Sequence, residues 1–273
     1  MPDPDNPLFI NTILLGGSTH EKIMAAADAG FDQVELWQQD VDDQAGGATE
    51  VETTLRSAAI GLTDFQALMD FDGAPGARRI EKRSEALGML NTAVKLGATT
   101  VLVPASTDPD CDANRVVDDL RWLCMEANQR ALRIAYEGMA WSTLNHTTPR
   151  AWQTVRRVDM PNLGMVIDLF HIFVRGGTAR DLDGIPMERI YLVQLSDLDG
   201  PLPLLGDIKQ VARHRRQLPG NGNFPISTIV ARLKAERYAG PVGLEIFNDA
   251  LKAGAPADVA QKAMAALRRA WVA

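Results

Sequence analysis

The sequence predicts an α/β fold, a single (β/α)8 barrel spanning 1–273. Short apolar runs alternate with helical periods along the whole chain, the pattern of a parallel sheet covered by helices. There are eight such runs in 273 residues, about 34 residues per strand–helix unit, close to the ~30 such a unit takes. Most runs lack strict apolar–polar alternation, as strands buried on both faces do. An open doubly wound sheet would carry Gly-x-Gly-x-x-Gly after an early strand. The first run is followed instead by Gly16-Gly17-Ser18.

In chain order, the predicted strands are 8–14, 33–37, 62–66, 99–103, 132–137, 164–170, 190–195 and 242–247. The first predicted helix, 20–29, stops at Gly30, a residue suited to the left-handed position that closes a helix. The helix 79–96 places Ile80, Leu87, Leu90 and Val94 on one face and stops at Gly97. The helix 114–130 places Val116, Leu120, Leu123 and Ala127 together. Later helices are 149–157, 227–236 and 256–270. The second and sixth units have poorly patterned helices, near 49–59 and 178–182.

Hydrophobic residues are 46% and charged residues 23%, which excludes a largely disordered chain. A fold of this size needs no disulfide or structural metal to hold its core. The net charge of −7 argues against nucleic acid as a partner. Two cysteines, Cys111 and Cys124, form no CxxC pair, and a reducing cytoplasm is the simplest setting. The start, Met1-Pro2-Asp3-Pro4-Asp5-Asn6-Pro7, has neither basic residues nor an apolar run, so no signal peptide is expected. No run approaches the ~18 apolar residues of a membrane helix.

Active sites of such barrels lie at the carboxyl ends of the strands. Four successive strands carry a polar residue there: Glu137 in the fifth, Asp168 in the sixth, Gln194 in the seventh and Glu245 in the eighth. A carboxylate inside an apolar stretch is costly unless it meets cations or donors. Three converging carboxylates would also repel one another. A divalent cation resolves both problems, and an all-oxygen set of Glu137, Asp168, Gln194 and Glu245 favours Mg²⁺ or Mn²⁺ over zinc. The plainer alternative is a set of carboxylates paired with Lys or Arg. Asp197 is a weaker member of the set, equally well a turn residue.

His171 follows Asp168 by three positions and is a candidate acid or base beside the metal. The run Ala212-Arg213-His214-Arg215-Arg216 is the densest basic cluster, placed between strands seven and eight, where barrels bind anions. A guanidinium there would clamp a carboxylate or phosphate, with a solvated helix end as the alternative. Pro219-Gly220-Asn221-Gly222-Asn223 reads as a tight turn or a close backbone approach to a ligand. Trp37 and Trp141 follow strand ends, as pocket walls or rim packing. His20 and His146 receive no role, and His214 is equivocal.

Tyr136-Glu137-Gly138-Met139-Ala140-Trp141, Ile167-Asp168-Leu169-Phe170-His171, Val193-Gln194-Leu195-Ser196-Asp197 and Leu244-Glu245-Ile246-Phe247-Asn248-Asp249 resemble the xylose-isomerase-like TIM barrels, the sugar phosphate isomerases/epimerases. They resemble most the bacterial metal-dependent 3-dehydroshikimate dehydratases, through the glutamine among the ligands. The resemblance runs over about 30–249 and includes Gly30-Phe31-Asp32 with Val34-Glu35, and Asp118-Asp119-Leu120-Arg121. It also takes in Arg213-His214, Arg216 and Pro219-Gly220 with Gly222. It implies Mg²⁺, Mn²⁺ or Co²⁺ on Glu137, Asp168, Gln194 and Glu245. His171 is implied as acid/base, and Arg216 and Glu35 as substrate contacts. Two positions depart from the dehydratase pattern: Met69 stands for an arginine and Ala212 for a serine.

The expected chemistry is removal of a proton beside a ketone, with the metal stabilising the enolate and a β-hydroxyl then leaving. The expected partner is a small polar or anionic keto substrate, with no membrane and with homo-oligomerisation left open. The alternatives are a sugar ketose isomerase/epimerase, in which Glu137 and Glu245 act as bases on opposite faces, or β-elimination from a 3-keto glycoside. Outside these, a phosphodiester hydrolase would need more than the four histidines present. A non-catalytic sugar-binding barrel would not need a complete metal set.

Overall fold

A computed structural model describes residues 6–272. Residues 1–5, most of the start read for a signal peptide, and residue 273 lie outside the described residues. The eight strands are β1 (Leu8–Asn11), β2 (Gln33–Trp37), β3 (Gly61–Gln66), β4 (Thr100–Pro104), β5 (Arg133–Glu137), β6 (Leu163–Asp168), β7 (Ile190–Leu195) and β8 (Val242–Leu244). All neighbours pair in parallel in the order β1 to β8, and β1 closes on β8 through Leu8↔Val242, Phe9↔Gly243 and Ile10↔Leu244. Among the described residues no helix is long and apolar enough to cross a membrane.

Three predicted strands run past their observed carboxyl ends. β1 stops at Asn11, whose side chain accepts the Ile13 N–H and starts a 3₁₀ turn at Thr12–Leu14. β6 stops at Asp168, whose side chain accepts the Phe170 N–H and caps the one-turn helix Leu169–Phe173. β8 stops at Leu244, so Glu245 stands just past the strand end. Five predicted helices correspond to Thr19–Asp28, Val116–Asn128, Thr148–Val158, Ile226–Ala235 and Pro256–Trp271.

The sixth, Gly76–Leu96, presents a different face from the one expected. Its buried stripe is Ala86, Met89, Leu90, Ala93 and Leu96, while Ile80 is 82% exposed and Val94 49% exposed. No residue of 76–85 is buried, so the first half of the helix leaves the sheet. The small Ala86 and Ala93 let the second half pack closely. The poorly patterned second unit does hold a helix, Gly47–Ser57, whereas the helix expected near 178–182 in the sixth is the 3₁₀ turn Ala179–Leu182.

The alternation of strand side chains sorts the interior into layers. Phe9, Leu102, Ala135, Val166 and Leu192 form an apolar cluster inside the barrel. Gly243 belongs to the same layer: a Cβ built there would overlap the Phe9 ring and carbonyl. Two residues further along each of these strands come Asn11, Pro104, Glu137, Asp168, Gln194 and Glu245. The polar strand ends therefore converge because each sits one pleat above a residue that fills the floor.

Candidate metal centre

Glu137, Asp168, Gln194 and Glu245 are all buried, at 5%, 3%, 0% and 6% exposure. The register sets Asp168 opposite Gln194, and Gln194 opposite Gly243, two residues before Glu245. Arg216, itself 2% exposed, reaches in from the segment before β8. Its Nη1 donates to Asp168 Oδ2 at 2.8 Å, to Glu245 Oε2 at 3.1 Å and to the Glu245 carbonyl at 3.2 Å. Its Nε donates to the Ala212 carbonyl at 3.1 Å, and its guanidinium lies 4.5 Å over the Phe170 ring. Arg216 was expected as a substrate contact; the structure sets it inside the ring of carboxylates. The carboxylate–arginine pairing weighed as the plainer alternative is thus present for Asp168 and Glu245 and, among the described residues, absent for Glu137.

His171 closes the ring on the other side. Its Nε2 is 3.4 Å from Glu137 Oε1 and 3.5 Å from Asp168 Oδ2. Its Nδ1 accepts the Ala140 N–H at 3.2 Å, so the neutral ring carries its proton on Nε2. Burial pushes the imidazole down to about 4, against the opposing pull of Asp168. Glu137, Asp168 and His171 lie close enough together to hold one ion. Yet an imidazole with Nδ1 occupied by a donor offers Nε2–H rather than a lone pair, which disfavours it as a ligand.

The remaining oxygens fit a cation better. Glu137 Oε1 and Gln194 Oε1 are buried with no hydrogen-bond partner among the described residues. Burial, with repulsion from Glu245 and Asp168, holds the Glu137 carboxyl well above its usual range. Burial raises Glu245 to about 7, with Arg216 opposing. Such groups are electrostatically strained without a further positive charge. Glu245 Oε1 also accepts from Asn11 Nδ2 at 3.2 Å, and Trp37 Nε1 donates to Asn11 Oδ1 at 2.8 Å.

A narrow cavity of about 20 Å³ opens above this ring. Glu137, His171, Arg216 and Glu245 share its wall with Trp37, Trp141, Phe247, Met69 and Gln66. Trp141 meets the His171 ring edge-on at 5.0 Å. Met69, the departure from the dehydratase pattern, is therefore at the site. Gln66 Nε2 is buried and has no hydrogen-bond partner among the described residues, which leaves it as a donor in the wall. Arg213 also lines the cavity, 5.2 Å over the Phe247 ring.

Two sequence candidates are placed elsewhere. Glu35, implied as a substrate contact, is fully buried behind Gln194 and is not in the cavity wall. Its register partner Asp64 lies beside it, and burial raises Asp64 to about 7. Asp197 is no ligand: its carboxylate accepts the N–H groups of Gly220, Gly222 and Phe224 and so builds the 219–223 turn. Side-chain space at Gly222 would collide with Asp197 and the Leu198 carbonyl, so the turn reading of that segment is sufficient. Asn11, Asp64 and Gln66 were not picked out as site residues. The same two-residue alternation, applied to β1 and β3, would have placed them.

A family model described as the xylose isomerase-like TIM barrel matches residues 23–270. A 3-dehydroshikimate dehydratase of Pseudomonas aeruginosa is 35% identical over 251 residues, 89% of this chain. One from Pseudomonas putida is 36% identical over 247 residues. The chain spans 38% of the length of these two curated relatives. An inosose isomerase of Halalkalibacterium halodurans is 29% identical, covering 67% of this chain and 66% of its own. Among solved structures, a xylose isomerase-like TIM barrel/4-hydroxyphenylpyruvate dioxygenase fusion protein has a TM-score of 0.91 and 32% identity, over 97% of this chain and 42% of that one. The IOLI protein with a bound zinc atom has a TM-score of 0.84 at 20% identity, over 97% of both chains, which shows a shared fold.

Proposed function

The chain belongs to the xylose isomerase-like TIM barrel family, and on that premise we propose that it is a divalent-metal-dependent lyase resembling 3-dehydroshikimate dehydratase. The observation that carries this is the convergence of Glu137, Asp168, Gln194 and Glu245 at four strand ends, with Glu137 Oε1 and Gln194 Oε1 buried without a hydrogen-bond partner among the described residues. These four residues would hold the ion, Mn²⁺ or Mg²⁺ by the hardness of their oxygens. The ion supplies Lewis-acid stabilisation of the negative charge that develops on a substrate carbonyl oxygen.

The protein groups divide the rest of the work. Glu245, whose carboxylate lies in the cavity wall, is placed to remove and return a proton. His171, holding its proton on Nε2, donates a hydrogen bond to a substrate oxygen. This revises the acid/base role expected for it, since a second proton on Nδ1 would face the Ala140 N–H. Arg213, Arg216 and Gln66 offer donors to an anionic or hydroxylated substrate, and Trp37, Trp141 and Phe247 exclude water. In the dehydration, a C–H bond beside the ketone breaks and a C=C bond forms. The β-hydroxyl then leaves, taking a proton, as water.

A second reading is isomerisation of a cyclic keto polyol, which shares the proton abstraction and omits the loss of water. It is favoured by Met69 in the cavity wall, where a thioether offers no charge to a substrate carboxylate, and by the relatives named inosose isomerase. The deciding experiment incubates Mn²⁺-loaded protein with 3-dehydroshikimate and follows the absorbance of the aromatic product. Turnover that is lost in EDTA and in Glu137→Gln supports the lyase. No product from protein shown to bind Mn²⁺ refutes it and selects keto polyols as the next substrates.

A further inference from the structure

Gln194 is the one neutral side chain in the proposed ligand set, and a carboxamide has two unlike ends. The nitrogen donates and the oxygen accepts, while a half-turn about the last side-chain bond exchanges them at almost no steric cost. Only the oxygen can serve a cation. Something in the protein must therefore choose the end.

The structure contains such a group. Gln194 Nε2 lies 2.9 Å from Glu35 Oε1 and 3.2 Å from Glu35 Oε2. Both residues are 0% exposed. Its register partner Asp64 shares a side-chain hydrogen bond with it, so the proton of that bond lies between the two carboxyl groups and acceptor oxygen is left facing Gln194. A turned Gln194 would set its oxygen against Glu35 and its nitrogen toward the cation, failing on both sides. The opposite end of the amide, Oε1, is left buried without a partner.

We propose that Glu35 is a positioning residue that fixes the Gln194 carboxamide with its oxygen as the end available to the metal. This rests on the metal reading above and names the group that completes its ligand set. Outer groups of this kind change metal affinity by about 10–100-fold when removed.

The test measures Mn²⁺ affinity of the full chain by titration calorimetry and by the electron paramagnetic resonance of free Mn²⁺. Glu35→Leu removes the acceptor that faces Gln194, and its affinity should fall by about 10–100-fold. Glu35→Gln should bind within about threefold of wild type, because the new amide can turn its nitrogen to Asp64 and keep its oxygen toward Gln194. In E35Q/D64N neither end of the new amide is preferred, and affinity should fall again, which a merely structural role for Glu35 would not produce. Unchanged affinity in Glu35→Leu, beside loss in Glu137→Gln, overturns the positioning role and leaves the metal reading standing. Failure of wild type to bind Mn²⁺ overturns both. Should Glu35→Leu not fold, E35Q/D64N decides alone: loss of affinity beside a near-wild-type Glu35→Gln supports the proposal and unchanged affinity refutes it.

Discussion

Arg216 is the sharpest place to probe the centre. Arg216→Met keeps an apolar stem against Phe170 and removes the charge that bridges Asp168 and Glu245. Removing one partner of a buried ion pair costs about 3–5 kcal/mol, because the other charge is left uncompensated. For 273 residues the unfolding entropy is roughly 0.6 kcal/mol/K, so the melting temperature should fall by about 5–9 °C. The measurement is calorimetric melting in EDTA at pH 7.5, repeated with saturating Mn²⁺. The ion would restore a positive charge to the same oxygens, so Mn²⁺ should raise the melting temperature of the variant more than that of wild type. A variant within about 2 °C of wild type in EDTA, by the same conversion, would refute the idea that Arg216 neutralises these carboxylates.

Glu137→Gln should abolish Mn²⁺ binding while leaving the far-ultraviolet circular dichroism unchanged; calorimetric titration checks the first and the spectrum the second. Asp72, buried beneath Tyr136, is raised by burial to about 6, although the Tyr136 hydroxyl and the Ser106 N–H donate to it. Its folded pKa lies above its unfolded one, so its stabilising contribution is complete below about pH 4 and is lost as pH rises through about 6. Urea melts from pH 4 to 7 should show wild type losing on the order of 3 kcal/mol relative to Asp72→Asn, and a pH-independent difference would count against this. Gly243→Ala should cost about 1–3 kcal/mol through overpacking against Phe9, read as a lower midpoint in urea.

The barrel and the ligand-bearing strand ends were legible in the sequence because both rest on short-range rules. Strand runs are local, and alternation with a period of two sets Glu137 above Ala135, Asp168 above Val166, and Gln194 above Leu192. That rule holds before the sheet closes. It fails for Gly76–Leu96, where the choice of buried face depended on how far the helix overlaps the sheet rather than on its own periodicity.

What stands across the barrel from each of these residues was decided only by closure. Arg216 was legible as a cation near β8; whether it sat on the rim or among the carboxylates depended on the path of the segment before that strand. Glu35 belongs to β2 and Gln194 to β7, 159 positions apart, and no local pattern relates them. Asp197 shared the sequence signature of a ligand, yet the 219–223 turn folds back onto it and uses its oxygens. The sequence by itself determined which chemical groups reach the barrel mouth, since side-chain alternation is a property of one strand. The tertiary structure decided how those groups are paired, because pairing is set by strand tilt, register and the loops that return from other strands.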